Sequence, residues 1–173
     1  WYNKFVKSGP LTISVAGNFN QDEICECVKN FPDRTNFEKT EILPKPIWHS
    51  GVDFVNADFQ QEQFFLLYSL NPKINFEQSL VLAVLNAIIG DTMSSRLFQS
   101  LRENSGFCYN VYSFVNLFID CGFWCFYATS SKSNCLNVAN NLIKNVDEFF
   151  KEKITEQELN YAKQHLCGEE IMA

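Results

Sequence analysis

The run Phe64-Phe65-Leu66-Leu67-Tyr68, closed by Asn71-Pro72, constrains this chain more than any other stretch. Successive residues of a strand point to opposite faces, so five large side chains in a row load both. Residues 48–59, with Val52 and Phe54, and residues 62–70 are therefore predicted as the two arms of a well-buried hairpin.

The rest of the chain falls into place around that hairpin. Residues 11–17 (LTISVAG) alternate and are β-branched, and read as a strand ending at Gly17. Asn20 and Glu23 form a cap-like pair for a helix striped by Ile24, Cys27, Val28 and Phe31. Residues 32–47, with three prolines, read as an irregular connection. Residues 76–89 are apolar nearly all round and predict a buried helix capped by Gly90. A second helix over 94–104 puts Leu97, Phe98 and Leu101 on one face. Residues 108–118 and 121–130 read as a second hairpin. Two helices follow, over 133–150 and from Thr155 onward, the latter with Thr155 as N-cap, Glu158 at the third position and an Ile154–Leu159 staple. The order β-α-β-β-α-α-β-β-α-α predicts an α+β fold, a mostly antiparallel sheet with helices packed on one face. No composition shift divides it, so residues 1–173 are expected to form a single domain. Because the first residue is Trp1, that domain is expected to be a fragment of a longer two-domain or four-domain polypeptide.

Composition narrows the partners. A formal net charge of −6 leaves no basic footprint for nucleic acid or an anionic membrane surface. No stretch approaches the roughly 20 apolar residues of a membrane span. Seven cysteines cannot all pair within the chain, and they favour free thiols in a reducing compartment, cytoplasm or organelle interior.

Chemistry-bearing motifs are scarce. His49 and His165 stand far apart, without a zinc-ligand neighbour three or four residues away, and there is no H-x-x-E-H. His49 is expected at a strand start and His165 on the solvated side of its helix. Cys25 and Cys27 would diverge on a helix, and Cys121 and Cys125 would stand too far apart on a strand, so buried structural thiols are the simpler reading. Cys108 and Cys125 would meet across the second hairpin if it turned near Asn116-Leu117. No nucleophile elbow or phosphate loop is present. The informative stretch is residues 90–114, GDTMSSRLFQSLRENSGFCYNVYSF. It carries Arg96 and Arg102 on a helix, a turn at Ser105-Gly106, and Tyr109 at the opening of a strand. Folded back at that turn, the Arg102 guanidinium could hold a peptide carbonyl or carboxylate, and the Tyr109 phenol could donate to an oxyanion. Against this, an arginine late in a helix ordinarily complements the helix dipole, and a strand tyrosine is ordinarily core.

That stretch closely resembles the insulinase-like, or pitrilysin-like, zinc metallopeptidase superfamily, whose pattern reads M-S-S-R-L-F-Q-x-L-R-E-x-x-G-x-x-Y-x-V-Y-S. Met93 to Gln99, Leu101, Arg102, Glu103, Gly106, Tyr109, Val111, Tyr112 and Ser113 match it as they stand. Residues 11–19 look like the strand opening the family's second domain, Gln60 to Gln63 like a polar lead into the next strand, and Gly122-Phe123 and residues 155–166 like closing elements.

The resemblance implies a non-metal-binding domain in a clamshell of two halves that enclose an unfolded peptide. Zinc would be held through H-x-x-E-H and a further Glu on a metal-binding domain of the same chain or a partner subunit, with none in this chain. There it would activate a water with that Glu as general base. By the matched positions Arg102 would orient the substrate backbone and Tyr109 would stabilise the oxyanion. The turn Asp91-Thr92-Met93 would touch substrate where the family carries more glycine, or Asp91 and Thr92 would simply cap the next helix. The full-length protein would be a zinc metalloendopeptidase, and the isolated chain would neither bind zinc nor cut peptides. Two other readings compete: a catalytically inactive homologue serving as scaffold or substrate-presenting subunit, and an unrelated module that adds a peptide to a sheet edge.

Overall fold

The sheet has three antiparallel strands in the order β1-β3-β2. β1 is Gln61–Leu70, β2 Asn110–Leu117 and β3 Gly122–Ser131. The computed structural model describes residue 2 and residues 11–31, 45–71 and 73–172; the side chains of residues 170 and 172 are outside this description. The chain divides into two compact units, Trp1–Pro44 and Lys45–Ala173.

The central strand β3 sets the register. Phe126 lies opposite Leu66 on one side and Ser113 on the other. Trp124, Phe126 and Ala128 point to the same face and are buried there. Helix α3, Cys135–Phe149, lies against that face. Its Val138, Leu142, Val146 and Phe149 recur at helical spacing and are all buried, which is why this segment holds as an amphipathic helix. Trp124 and Phe126 stack at 5.1 Å, and Phe149 meets Trp124 edge-on at 6.3 Å. Helix α4, Glu156–Met172, contributes Ala162 to the same core. Its start is the expected capping box: Glu158 N–H donates to Thr155 Oγ1 and Thr155 N–H donates to the Glu158 carboxylate. The α+β class, the antiparallel sheet and the second hairpin stand as the sequence predicts.

Several expected elements do not form. Residues 11–17 and 48–59 are not strands; both are exposed. An alternating pattern creates a face for a sheet, but only a neighbouring strand makes it one. The same loss corrects His49, which lies in an exposed irregular segment. β1 is thus a sheet edge, not one arm of a buried hairpin, and alternates exposed and half-buried. In the first unit, helix α1, Gln21–Lys29, forms with Asn20 as N-cap, its Oδ1 accepting from Asp22 N–H. Most of the connection expected over 32–47 lies outside the described residues.

Helix α2, Phe76–Asn86, leaves Phe76, Leu80 and Val81 exposed, although a buried helix was expected. Its Asn75–Gln78 capping box is intact. The buried part comes after it, where Ala87–Asp91 widens into a π turn. Gly90 lies inside that turn and does not cap the helix. A Cβ there would collide with Ser113 Oγ and fall 2.7 Å from Ser113 N, so glycine is what lets the turn reach strand β2. A second π-type segment, Phe98–Asn104, leads to β2. The hairpin turn spans residues 118–121, with Phe118 N–H donating to Cys121 O at 2.7 Å. Cys125 therefore faces Phe114, not Cys108.

Candidate functional site

Two hydrogen-bonded hubs position residues 90–114. The first is Asn86 at the end of α2. Its Oδ1 accepts from Ser113 Oγ at 2.7 Å and from Trp124 Nε1 at 2.9 Å, joining helix, β2 and β3 in the core. A buried amide is costly unless paired, and here its oxygen takes two donors. Asn86 carries no signal in the sequence, since a polar residue ending an apolar helix gives no sign of partners 27 and 38 residues on.

The second hub is Arg96. Its Nε donates to Glu158 Oε1 at 2.6 Å and its Nη2 to Glu158 Oε2 at 3.1 Å, a forked pair. Nη1 reaches Glu152 at 2.9 Å, Nη2 also reaches Lys153 O, and the guanidinium lies 5.5 Å from the Phe149 ring centre. The side chain is 21% exposed. The Arg96 hydrogen bond, aided by Thr155, holds the Glu158 carboxyl down at about 2, while the same bond pushes Arg96 up. Arg96 thereby pins the helix of the motif to the start of α4.

The turn between the hubs carries Asp91, Thr92 and Met93. Thr92 Oγ1 donates back to Ala87 O at 3.3 Å, and Gln99 Nε2 donates to Met93 O at 2.8 Å. The next helix receives its side-chain bond from buried Ser95, whose Oγ accepts from Phe98 N–H at 3.4 Å. Among the described residues neither Asp91 nor Thr92 caps that helix with its side chain. Desolvation raises the Asp91 carboxyl, reinforced by Glu169 and opposed by His165 and an Asn86 hydrogen bond. Met93 points outward, 77% exposed.

Arg102 and Tyr109 lie on either side of a turn made by Gly106, whose φ of 62° suits glycine and whose N–H donates to Arg102 O. Arg102 is exposed, its Cζ 5.0 Å from the Phe98 ring centre, and among the described residues it makes no ion pair. Tyr109 is anchored by its backbone, N–H to Thr129 O at 3.0 Å, while its ring is 57% exposed. Among the described residues nothing hydrogen-bonds its hydroxyl. Cys108, buried between them in sequence, has its thiol pushed up by burial and eased down by the Arg102 charge. Chemically, a free fork of donors and a free phenol flank one turn.

All seven cysteines are free. Cys108 and Cys125 are buried, but Cys25, Cys27 and Cys167 are exposed, so the buried-thiol reading holds only for part of the set. His165 is half-buried on its helix, with its Nε2 enclosed 3.4 Å from Glu169. Among the described residues no cluster of three or more His, Cys, Asp or Glu could hold a metal ion. No described helix is long and apolar enough to cross a membrane.

Residues 1–166 match the family described as the Peptidase M16 inactive domain. An uncharacterized zinc protease of Rickettsia felis is 33% identical over 172 residues, 99% of this chain and 41% of that protein. The zinc protease YmxG of Bacillus subtilis is 28% identical over 91% of this chain and 38% of its own length. The chain thus spans about two-fifths of the relatives it matches. Among solved structures, a Helicobacter pylori protease aligns over 90% of this chain and 39% of its own, with a TM-score of 0.61 and 18% identity. The periplasmic protease PqqL of Escherichia coli aligns over 88% of this chain and 18% of its own, at the same TM-score and 14% identity. At such identities these structures speak for the fold.

Proposed function

We propose, from the premise that this chain belongs to the peptidase M16 family through its inactive domain, that it supplies peptide-binding groups to a zinc-dependent endopeptidase whose metal is held elsewhere. Residues 1–173 act as one domain of that enzyme. The metal-binding domain lies on the same polypeptide or on a partner subunit, and the substrate is an unfolded peptide. Arg102 holds a backbone carbonyl or carboxylate with its fork of donors. Tyr109 donates its phenolic hydrogen to the oxyanion that develops at the scissile carbonyl. The exposed Met93 offers an apolar contact to the substrate.

What supports this reading is a contrast inside one motif. Arg96 spends every donor group of its guanidinium on the fold, whereas Arg102 and Tyr109 are exposed and bonded to nothing among the described side chains through their charged or hydroxyl groups. Exposed groups held by a well-packed backbone are available to a ligand.

The test uses the full-length natural polypeptide. Zinc content and peptide cleavage are measured for the parent, Arg102→Ala and Tyr109→Phe. Turnover is expected to fall on the order of 100-fold in each, the scale of one lost oxyanion donor, with unchanged zinc content. Equal turnover in parent and variants removes the pair from the mechanism. A parent with neither zinc nor cleavage would instead make the chain a scaffold or substrate-presenting relative.

A further inference from the structure

Among the described residues the Arg102 guanidinium has no ion pair and one ring beneath it: its Cζ sits over Phe98, 5.0 Å from the ring centre. Both residues belong to the π-type segment Phe98–Asn104, four positions apart, a spacing that makes them neighbours on one face of a helix. Phe98 is itself held in place. It is half-buried and packs against the core that contains Leu97 and Leu101. The backbone beyond Arg102 is held as well, with Gly106 N–H donating to Arg102 O at 3.1 Å and Ser105 Oγ to Ser100 O at 2.5 Å. An otherwise loose side chain thus has one rigid support. Its charge is felt across the turn at Cys108, the residue before Tyr109, where it eases the thiol down against the upward push of burial.

The kind of support matters. A carboxylate holds an arginine through its N–H donors and offsets its charge, as Glu158 does to Arg96. A ring holds it by the flat face through cation–π attraction and leaves the donors in the guanidinium plane unspent. Ordering a long side chain in advance also lowers the rotamer freedom lost when a ligand binds. We infer that Phe98 is a positioning residue for peptide binding and cleavage: its ring orients the Arg102 guanidinium while leaving the whole fork of N–H donors free for the substrate backbone. The inference rests on the proposed role of Arg102 and extends it to a residue that itself touches no substrate.

The test uses the full-length natural polypeptide and two readouts. In the first, isotope-labelled arginine is followed by NMR, and the Arg102 Nε–H signal is assigned by its loss in Arg102→Lys. The Phe98 ring should shift that proton upfield of an unstacked arginine; Phe98→Leu should abolish the shift and Phe98→Tyr keep it. An unshifted signal in the parent overturns the inference, whether or not Phe98→Leu folds. In the second, cleavage of an unstructured fluorogenic peptide, Phe98→Leu is expected to lower kcat/KM about fivefold, the scale of one exposed cation–π contact. Phe98→Tyr should restore it, and Phe98→Leu should cost nothing further in an Arg102→Ala background. A loss that persists without Arg102, or that Phe98→Tyr does not restore, assigns Phe98 to packing alone and overturns the inference. Unchanged kcat/KM in Phe98→Leu beside a loss in Arg102→Ala overturns it too, and leaves the proposed function standing. Parent-level cleavage by Arg102→Ala, or a parent that does not cleave, removes the proposed role of Arg102 and this inference with it. The NMR shift needs no turnover, so it separates those two cases from a ring that never held the guanidinium.

Discussion

Arg96 and Arg102 stand six residues apart in one motif and have opposite fates. Arg96 is folded into a forked ion pair with Glu158, a second contact to Glu152, a carbonyl and a ring. Arg102 meets one ring face and water. The same side chain is structural where carboxylates of a distant helix converge on it, and free where none does. A motif arginine therefore has no role until its surroundings are known.

The sharpest way to break that contrast is Arg96→Ala. It strands the Glu158 carboxylate in a half-buried site, and loss of one partner of such a pair costs about 3 kcal/mol. Urea unfolding of the full-length chain should show it; a change under 1 kcal/mol would mean the clamp is ornamental and the contrast false. Gly90→Ala comes next. Its methyl would collide with Ser113, and the overpacking should cost about 2 kcal/mol. An unchanged unfolding midpoint would show that the π turn can back away from β2.

A smaller effect sharpens the same point through pH. Glu158 is held down at about 2 from an ordinary 4.5, so the unfolded state binds more protons as pH falls. Its stabilisation is complete above about pH 5 and fades as pH drops from there towards 2. Titrating stability for parent and Glu158→Gln should show this slope in the parent alone; parallel curves would detach the slope from Glu158. The smallest effect belongs to the free side. Arg102→Ala and Tyr109→Phe should each alter unfolding free energy by less than about 0.5 kcal/mol, as exposed substitutions do. A loss above 1 kcal/mol for either would make it a structural group.

Much of this architecture could be read along the chain because its causes are local. Thr155 and Glu158 sit at the spacing of a capping box, α3 repeats its apolar residues at helical period, and β2 and β3 alternate around a short turn. Residues 11–17 and 48–59 carry strand patterns as good as these but remain exposed, since alternation does not by itself supply a pairing partner. The cysteine pairing failed for a related reason: moving the turn from Asn116-Leu117 to residues 118–121 shifts every cross-strand partner. Of the candidate site, Arg102 and Tyr109 were proposed through the motif and the Asp91-Thr92-Met93 turn through its place before it, while Asn86 carried no signal.

By itself the sequence determined the family, the α+β class, the helix starts and the sheet-forming hairpin, because caps, periods and a twenty-residue motif act through neighbours along the chain. Only the tertiary structure decided that Gly90 must lack a side chain, that Asn86 ties α2 to Ser113 and Trp124, and that Arg96 is locked while Arg102 is free. Each of those depends on an atom more than twenty residues away or on its absence. Distance along the chain carries no record of which side chains will stand within 3 Å of one another after folding.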